Sequence, residues 1–441
     1  ISMFEGLKVV VGLISFILVY RTVTGNCNKY LAFAICAIWL RFFLAAFHTI
    51  TYPPLIAGFS INALGSISVA CLGLLVIPTP VFTLKKFFPF FLFFVCIAIS
   101  GFVNMKIPGT INVLVKWCYF LVLASALILS VRVQGQNATF KKLLVAFTMP
   151  VALQILSVVL GQAKATEADG SASYIGGYNH EAAFSMIIVS FIFVVGLIER
   201  GTLSFRTSLF TLSVFLLVLV NYRTSILTIL PIAAVFYFTL VEQRLKPSQK
   251  APVMMIVAMV LLSSFLALSF TMKERFADIG LLLSNLDLML KAPIYFSDAE
   301  RDIMSARVYI WSQYIDAFRN ADLLNQLLGF GPDSWKGRFN LYAHNTFVSY
   351  IYEYGVLGVG SFVFVCISVL LNALTLKDRK LSKILALSFV GFLAMNMATM
   401  PLWNIEGLIF FAILNAVLIG HKKSSKSRQV STDNRELLNA N

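Results

Sequence analysis

The chain has 441 residues, 59% of them hydrophobic and only 12% charged, with a mean hydropathy of +0.84. That composition leaves too little polar surface to cover a water-soluble globule of this size, so lipid must be the solvent for most of it. A formal net charge of +15 would suggest nucleic acid in a soluble protein. Here the positions of the charges give a better account, and no nucleic-acid partner is expected.

Apolar runs long enough to cross about 30 Å of hydrocarbon as helices recur from the first residues to about residue 420. Thirteen spans are predicted: 5–20, 30–49, 60–78, 88–103, 111–131, 143–160, 181–198, 207–220, 224–241, 251–270, 345–373, 384–401 and 407–420. Continuous runs such as Phe210 to Val220 lack the alternation of a lipid-facing strand. The expected fold is therefore an all-α polytopic membrane protein with 12 to 14 transmembrane helices. In the first span Arg21 follows the apolar stretch and no small-residue cleavage site is evident, so the span reads as a retained helix rather than a signal peptide.

The breaks between spans alternate in charge. One set, together with the C-terminal tail, holds 21 basic residues, including Arg21, Lys85, Lys86, Arg132, Arg244 and Lys377. The short breaks between them hold only Lys106, Lys164 and Arg223. The positive-inside tendency assigns the first set to the cytoplasm and turns the long break outward, and the span count puts the N-terminus outward as well. Four parts follow: helices over 1–270, an outer loop over 271–343, helices over 344–420 and a basic cytoplasmic tail over 421–441 near anionic lipid. Of six cysteines, five lie within spans and Cys27 in a cytoplasmic break, with no disulfide or zinc spacing.

The outer loop is far longer than an ordinary connection, which marks it as functional. Over 302–328 its apolar residues, among them Val308, Trp311, Ile315 and Leu324, recur at helical spacing with a break near Arg319 to Ala321. Gly329, Gly331 and Pro332 close that element. Eight basic and nine acidic residues nearly cancel, so the loop is no simple electrostatic tether.

The strongest local signal is His344 and Asn345, followed by Glu353, Gly355, Gly358 and Gly360 as the chain re-enters the membrane in HNTFVSYIYEYGVLG. This run resembles the bacterial O-antigen polymerase and O-antigen ligase superfamily, whose large periplasmic loop ends in His-Asn before a helix carrying Glu-x-Gly-x-x-Gly. Arg307 and Trp311, four apart on one helical face, and Leu328 to Gly331 fit the same loop, with Arg301 as the substitute should the register differ. Asn221 to Ser225 is similar to the family's Ser-Arg-Thr-type helix start. The resemblance covers the arrangement of spans but specific residues only near 223, 307–331 and 344–358. It implies a metal-independent, inverting glycosyl transfer with no cofactor. The donor would be an undecaprenyl diphosphate-linked glycan, and the acceptor a lipid-linked glycan or lipid A-core at the outer face of the cytoplasmic (inner) membrane. A chain-length regulator is a further partner in that setting.

On this reading Arg223 and Arg307 bind the diphosphate, and His344 takes or orients the acceptor proton. Plainer roles stand beside these. Arg223 can snorkel, Arg307 can pair with Glu300, Asp302 or Asp316, His344 can be an interfacial side chain, and the glycines suit close helix packing. In GGYNHE, His180 and Glu181 are either contacts to sugar or acceptor, or part of a helix start capped by Asn179. Arg41 and Lys116 lie in spans toward the outer leaflet, where a charge needs a wet or anionic cavity. The outer turn SYIGGYNHEAAF resembles exopolysaccharide or O-antigen polymerases more than ligases, which tilts the reading toward a polymerase. A flippase for lipid-linked sugars would predict inverted repeats and a charged central cavity, neither of which is clear in the sequence.

Overall fold

The computed structural model describes residues 3–56, 58–165, 172–271, 286–303 and 306–421. Sixteen helices carry the architecture: α1 Met3–Thr24, α2 Lys29–Ala46, α3 Ile61–Val76, α4 Phe88–Val103, α5 Ile107–Gln134, α6 Gln136–Leu143, α7 Thr148–Val159, α8 Glu181–Leu197, α9 Arg206–Leu219, α10 Ile226–Arg244, α11 Pro247–Thr271, α12 Arg307–Arg319, α13 Leu323–Leu328, α14 Thr346–Leu374, α15 Arg379–Ala398 and α16 Ile405–Gly420. Each of the thirteen apolar stretches coincides with a helix, α6 and α7 joining through a 3-10 turn to form one of them. Eight helical segments are long and apolar enough to cross a membrane, and α3, α8, α9 and α16 are shorter apolar helices. The protein is an all-α polytopic membrane protein; its only described strands are two short antiparallel ladders, Pro54–Ile56 with Phe59–Ser60 and Lys164–Ala165 with Ala172–Ser173.

Helix α16 is buried along its whole length, packed mainly on α5 and α8, and α5 is itself buried through its middle. Rings from α4, α5, α14, α15 and α16 meet there, with Phe411 stacked on Phe120 at 5.1 Å and Phe93 against Trp117 at 5.4 Å. By contrast α1 leaves Leu13, Ile14, Phe16 and Ile17 about half exposed, as a helix at the lipid-facing edge should.

The two ends of the bundle differ. At one end basic and amide side chains tie helix termini together: Arg132 donates to Ile419 O at 3.3 Å, Gln136 to Leu197 O at 3.2 Å, and Asn28 to Gln134 at 2.9 Å. The other end gathers the turns after α2, α4, α7, α9 and α15 together with the long loop. There Lys8 donates to Ala46 O at 3.2 Å and Gly177 O at 3.1 Å, and Asn104 donates to Gly329 O at 2.9 Å.

Two expectations change. The span from residue 345 is not one continuous helix, because α14 breaks at Gly355 (φ 65°, ψ −168°). The loop element expected over 302–328 starts at Arg307, and Asp298–Arg301 is a separate turn capped reciprocally by Ser297 and Glu300. Residues 272–285, 304–305 and the tail from 422 lie outside the described residues.

Candidate active site

Helix α12 sets the position of His344. Trp311 Nε1 donates to Ala343 O at 2.8 Å and Tyr314 OH to Leu341 O at 2.9 Å, so one face of the helix holds the segment leading to the histidine at two points. Both side chains are buried, as expected for groups that must find partners for their polar tips. His344 itself has a left-handed backbone (φ 51°), and its ring lies 3.9 Å from that of Tyr342. Asn345 then caps α14, its Oδ1 accepting from Phe347 N at 2.9 Å and Val348 N at 3.3 Å. That carbonyl oxygen is therefore committed to the helix start.

Behind this segment the glycines make a backbone clamp. Phe330 N donates to Tyr352 O and Gly331 N to Glu353 O, both at 2.9 Å, and Ser100 Oγ donates to the same Glu353 O at 2.8 Å. The approach is so close that a Cβ on Gly329 would sit 2.3 Å from the Glu353 carbonyl, and one on Gly355 would sit 2.4 Å from that of Leu327. Both glycines also have positive φ, so no other residue fits there without displacing backbone. Gly358 packs against Tyr354, whereas a Cβ on Gly360 would meet open space. The expected packing role thus holds for Gly355 and Gly358 and not for Gly360. On its outer side the clamp continues through Asp333, which accepts from Asn112 at 3.1 Å and Lys336 at 2.8 Å.

The GGYNHE turn faces His344 from the other direction. Gly176 and Gly177 both have positive φ, and a Cβ on Gly177 would strike the Lys8 side chain at 2.5 Å. The cap of α8 is His180, whose Nδ1 accepts from Ala182 N at 3.1 Å; Asn179, expected in that role, is one residue short of it. Glu181 pairs with Lys164 at 3.1 Å.

Burial first, and then the neighbouring Arg307 guanidinium and His180 ring, push the His344 imidazole down to about 4. It is therefore neutral at physiological pH. The same interactions bring Arg307, His180 and His344 into one electrostatic neighbourhood, although they come from α12, the turn before α8 and the segment before α14.

A cavity of about 200 Å³ opens beside them, lined by His180, Tyr342, Tyr222, Trp403, Asn404 and Glu406 among others. Arg41 forms part of its wall, with Nε on Glu406 Oε1 at 2.8 Å and Nη1 on Asn62 at 2.7 Å. A second cavity of about 280 Å³ shares Arg41, Tyr52, Trp403 and Asn404 and is lined by Lys116. Lys116 donates to Trp403 O at 3.1 Å and lies over the Trp403 ring at 5.4 Å. Both intramembrane cations thus border cavities, and Arg41 has an anionic partner as well.

Among the remaining sequence-derived candidates, Arg223 begins the 3-10 turn before α10, next to cavity-lining Tyr222, and its side chain lies outside the described residues. Arg301 is exposed, 3.8 Å from Asp298 and over the Tyr309 ring at 5.3 Å. Trp311 positions the segment from behind. Of the acids considered as Arg307 partners, Glu300 is paired to Lys291 at 2.7 Å. The sequence reading missed Glu406, Tyr342, Trp403 and Lys8. The only signal for Glu406 was an acid at the mouth of an apolar helix.

No curated protein matches the chain. Residues 208–363, which include the turn at Arg223, the long loop, His344 and the Gly355 clamp, match the family model described as O-antigen ligase, a similarity that supports the O-antigen polymerase and ligase superfamily and a function of that general type.

Proposed function

We propose that the chain is a glycosyltransferase of the bacterial inner membrane that moves an undecaprenyl diphosphate-linked glycan onto an acceptor sugar at the periplasmic face. The observation that carries this reading is the meeting of Arg307, His180 and a neutral His344, which lies against the cavity-lining Tyr342, at the end of the bundle opposite the basic tethers. Outside the cytoplasm no nucleotide pool exists, so the donor has to bring its own leaving group, and a lipid diphosphate does so. Arg307, with Arg223 from the neighbouring turn, binds the diphosphate oxygens and stabilises the charge that grows on them. The acceptor oxygen bonds to the anomeric carbon as the bond to phosphate breaks and its electron pair passes to the diphosphate. The acceptor proton goes to His344, and the transfer inverts the anomeric centre without a metal.

In this orientation the segment 271–343 is a periplasmic loop and the tail from 421 is cytoplasmic, in keeping with the 21 basic residues on that side. The Gly-rich aromatic turn SYIGGYNHEAAF favours a polymerase, whose acceptor is a second lipid-linked repeat. A ligase acting on lipid A-core is the second reading, favoured by the description of the matching family model. Purified protein in lipid nanodiscs, given a diphosphate-linked glycan and either acceptor, should transfer to one of them, and His344→Asn and Arg307→Ala should abolish that transfer. Full activity in both variants would sink the mechanism.

A further inference from the structure

The long loop exposes an apolar stripe that the site does not use. Leu323, Leu324 and Leu327 of α13 are 71%, 50% and 40% exposed, and their spacing puts them within about 100° of one another on one side of the helix. Single exposed leucines are ordinary on any surface. Three side by side on a helix of 6 residues call for something apolar to cover them. We propose that α13 is an interfacial helix whose leucines enter the hydrocarbon of the bilayer leaflet at this end of the bundle.

Three observations name lipid as the occupant. The first is depth. Beyond its break at Gly355, α14 continues over 356–374, about 28 Å at roughly 1.5 Å per residue, and Lys377 and Arg379 follow. One crossing of the hydrocarbon core takes up that length, so Gly355 marks the opposite boundary. There α13 is pinned: a Cβ on Gly355 would meet the Leu327 carbonyl at 2.4 Å, and Asn104, at the end of α4, donates to Gly329 O at 2.9 Å. The second is continuity. α13 packs on α14 and touches α4, and close to those contacts both helices expose apolar side chains, Val356 and Leu357 on one and Phe102 and Val103 on the other, as spanning helices do toward lipid. The third is polarity, because the ends of α13 are closed within the protein. Asp322 accepts from Asn325 N at 3.0 Å, Gly329 N donates to Asn325 O at 2.7 Å, and Gln326, beside the stripe, donates to Arg319 O at 3.1 Å and Ala321 O at 3.2 Å. Asn325, on the opposite side, lines a polar cavity with Asp316 and Asn320, which gives the helix one wet face and one dry face. Only residues 320–322 separate α13 from α12, so the helix carrying Arg307 is moored to the bilayer through it.

The test places the environment-sensitive dye NBD on the full chain in lipid nanodiscs, one copy to a disc. On Leu324→Cys the dye should be quenched about twofold or more by phospholipid bearing a nitroxide near the top of its acyl chain, and little by aqueous cobalt. On Asp298→Cys, whose side chain is fully exposed on the turn before α12, the order should reverse. The unsubstituted chain treated with the same dye gives the contribution of its own cysteines. In that unsubstituted chain, phospholipid with a diazirine on its acyl chain should mark residues 323–328 on illumination and leave 297–302 unmarked. Quenching of the Leu324 site by cobalt alone would put the stripe in water, and shielding from both quenchers would mean that protein covers it. Either result overturns the proposal, as does an unmarked 323–328 in the unsubstituted chain.

Discussion

The end of the bundle that gathers the long loop contains two neighbouring regions built on opposite principles. The clamp between residues 327–331 and 352–355 is backbone against backbone, with its carbonyls and amides satisfied by one another and by Ser100 and Asn104. The cavity a few residues away is made of side chains from five segments, and one of them, Glu406, has a carboxylate oxygen with no hydrogen-bond partner among the described residues. The matched segment 208–363 contributes to both, through Gly329 and Gly355 in the clamp and Tyr222 and Tyr342 at the cavity.

Substitutions should separate the two regions. The largest effect is expected in the clamp, where Gly355→Ala places a Cβ within 2.4 Å of backbone at a positive φ. We expect a loss of several kcal/mol, well above the usual ~1 kcal/mol for a strained glycine site, read as a collapse of folded yield and thermal midpoint. Wild-type stability in this variant would remove the distinction. Next to His344 the reverse pattern is expected: Arg307→Lys should lower transfer about 10²-fold or more by losing the planar phosphate fork while the midpoint stays within about 1 °C of wild type.

The pH profile sharpens the same contrast. The free protein holds His344 down at about 4 through burial and the charges of Arg307 and His180, so kcat/KM should show no acid limb near 6.5. A bound diphosphate places negative charge beside the imidazole and favours its protonated form, so the acid limb of kcat should lie at higher pH than that of kcat/KM. For stability the depressed value means that this contribution is present above about 6.5 and is lost as pH falls through about 4. Coincident limbs in the two profiles would separate His344 from the diphosphate. The smallest effects belong to the frame: Asn345→Ala should cost about 1 kcal/mol as a lost cap, and Gly360→Ala should be neutral or slightly stabilising.

Much of this was legible in the residues themselves. Hydrophobic run length located a helix at each of the thirteen stretches, since the lipid thickness sets one simple requirement on each segment, and eight described segments are long and apolar enough to cross. The i, i+4 spacing of Arg307 and Trp311 correctly put both on α12, and the direction of His344 followed from its place before α14. What sequence could not give was any pairing set by the tertiary fold. Glu406 sits in an apolar run that reads simply as a helix start, and its partner Arg41 is 365 residues away. The break at Gly355 was invisible because its cause, the approach of Gly329, lies in another part of the chain. The cap of α8 was misplaced by one residue because a histidine took a role that composition assigns to asparagine.

The ion pair between Arg41 and Glu406 has a consequence for biogenesis. Helices enter the membrane in order from the ribosome, so Arg41 is inserted with α2 long before α16 delivers its counter-ion. Throughout that interval a guanidinium resides at the edge of a half-built bundle, where it must draw on water or lipid headgroups. This end of the bundle is thus closed only when α16 arrives, and a nascent chain stopped before residue 406 holds the Arg41 charge without its counter-ion.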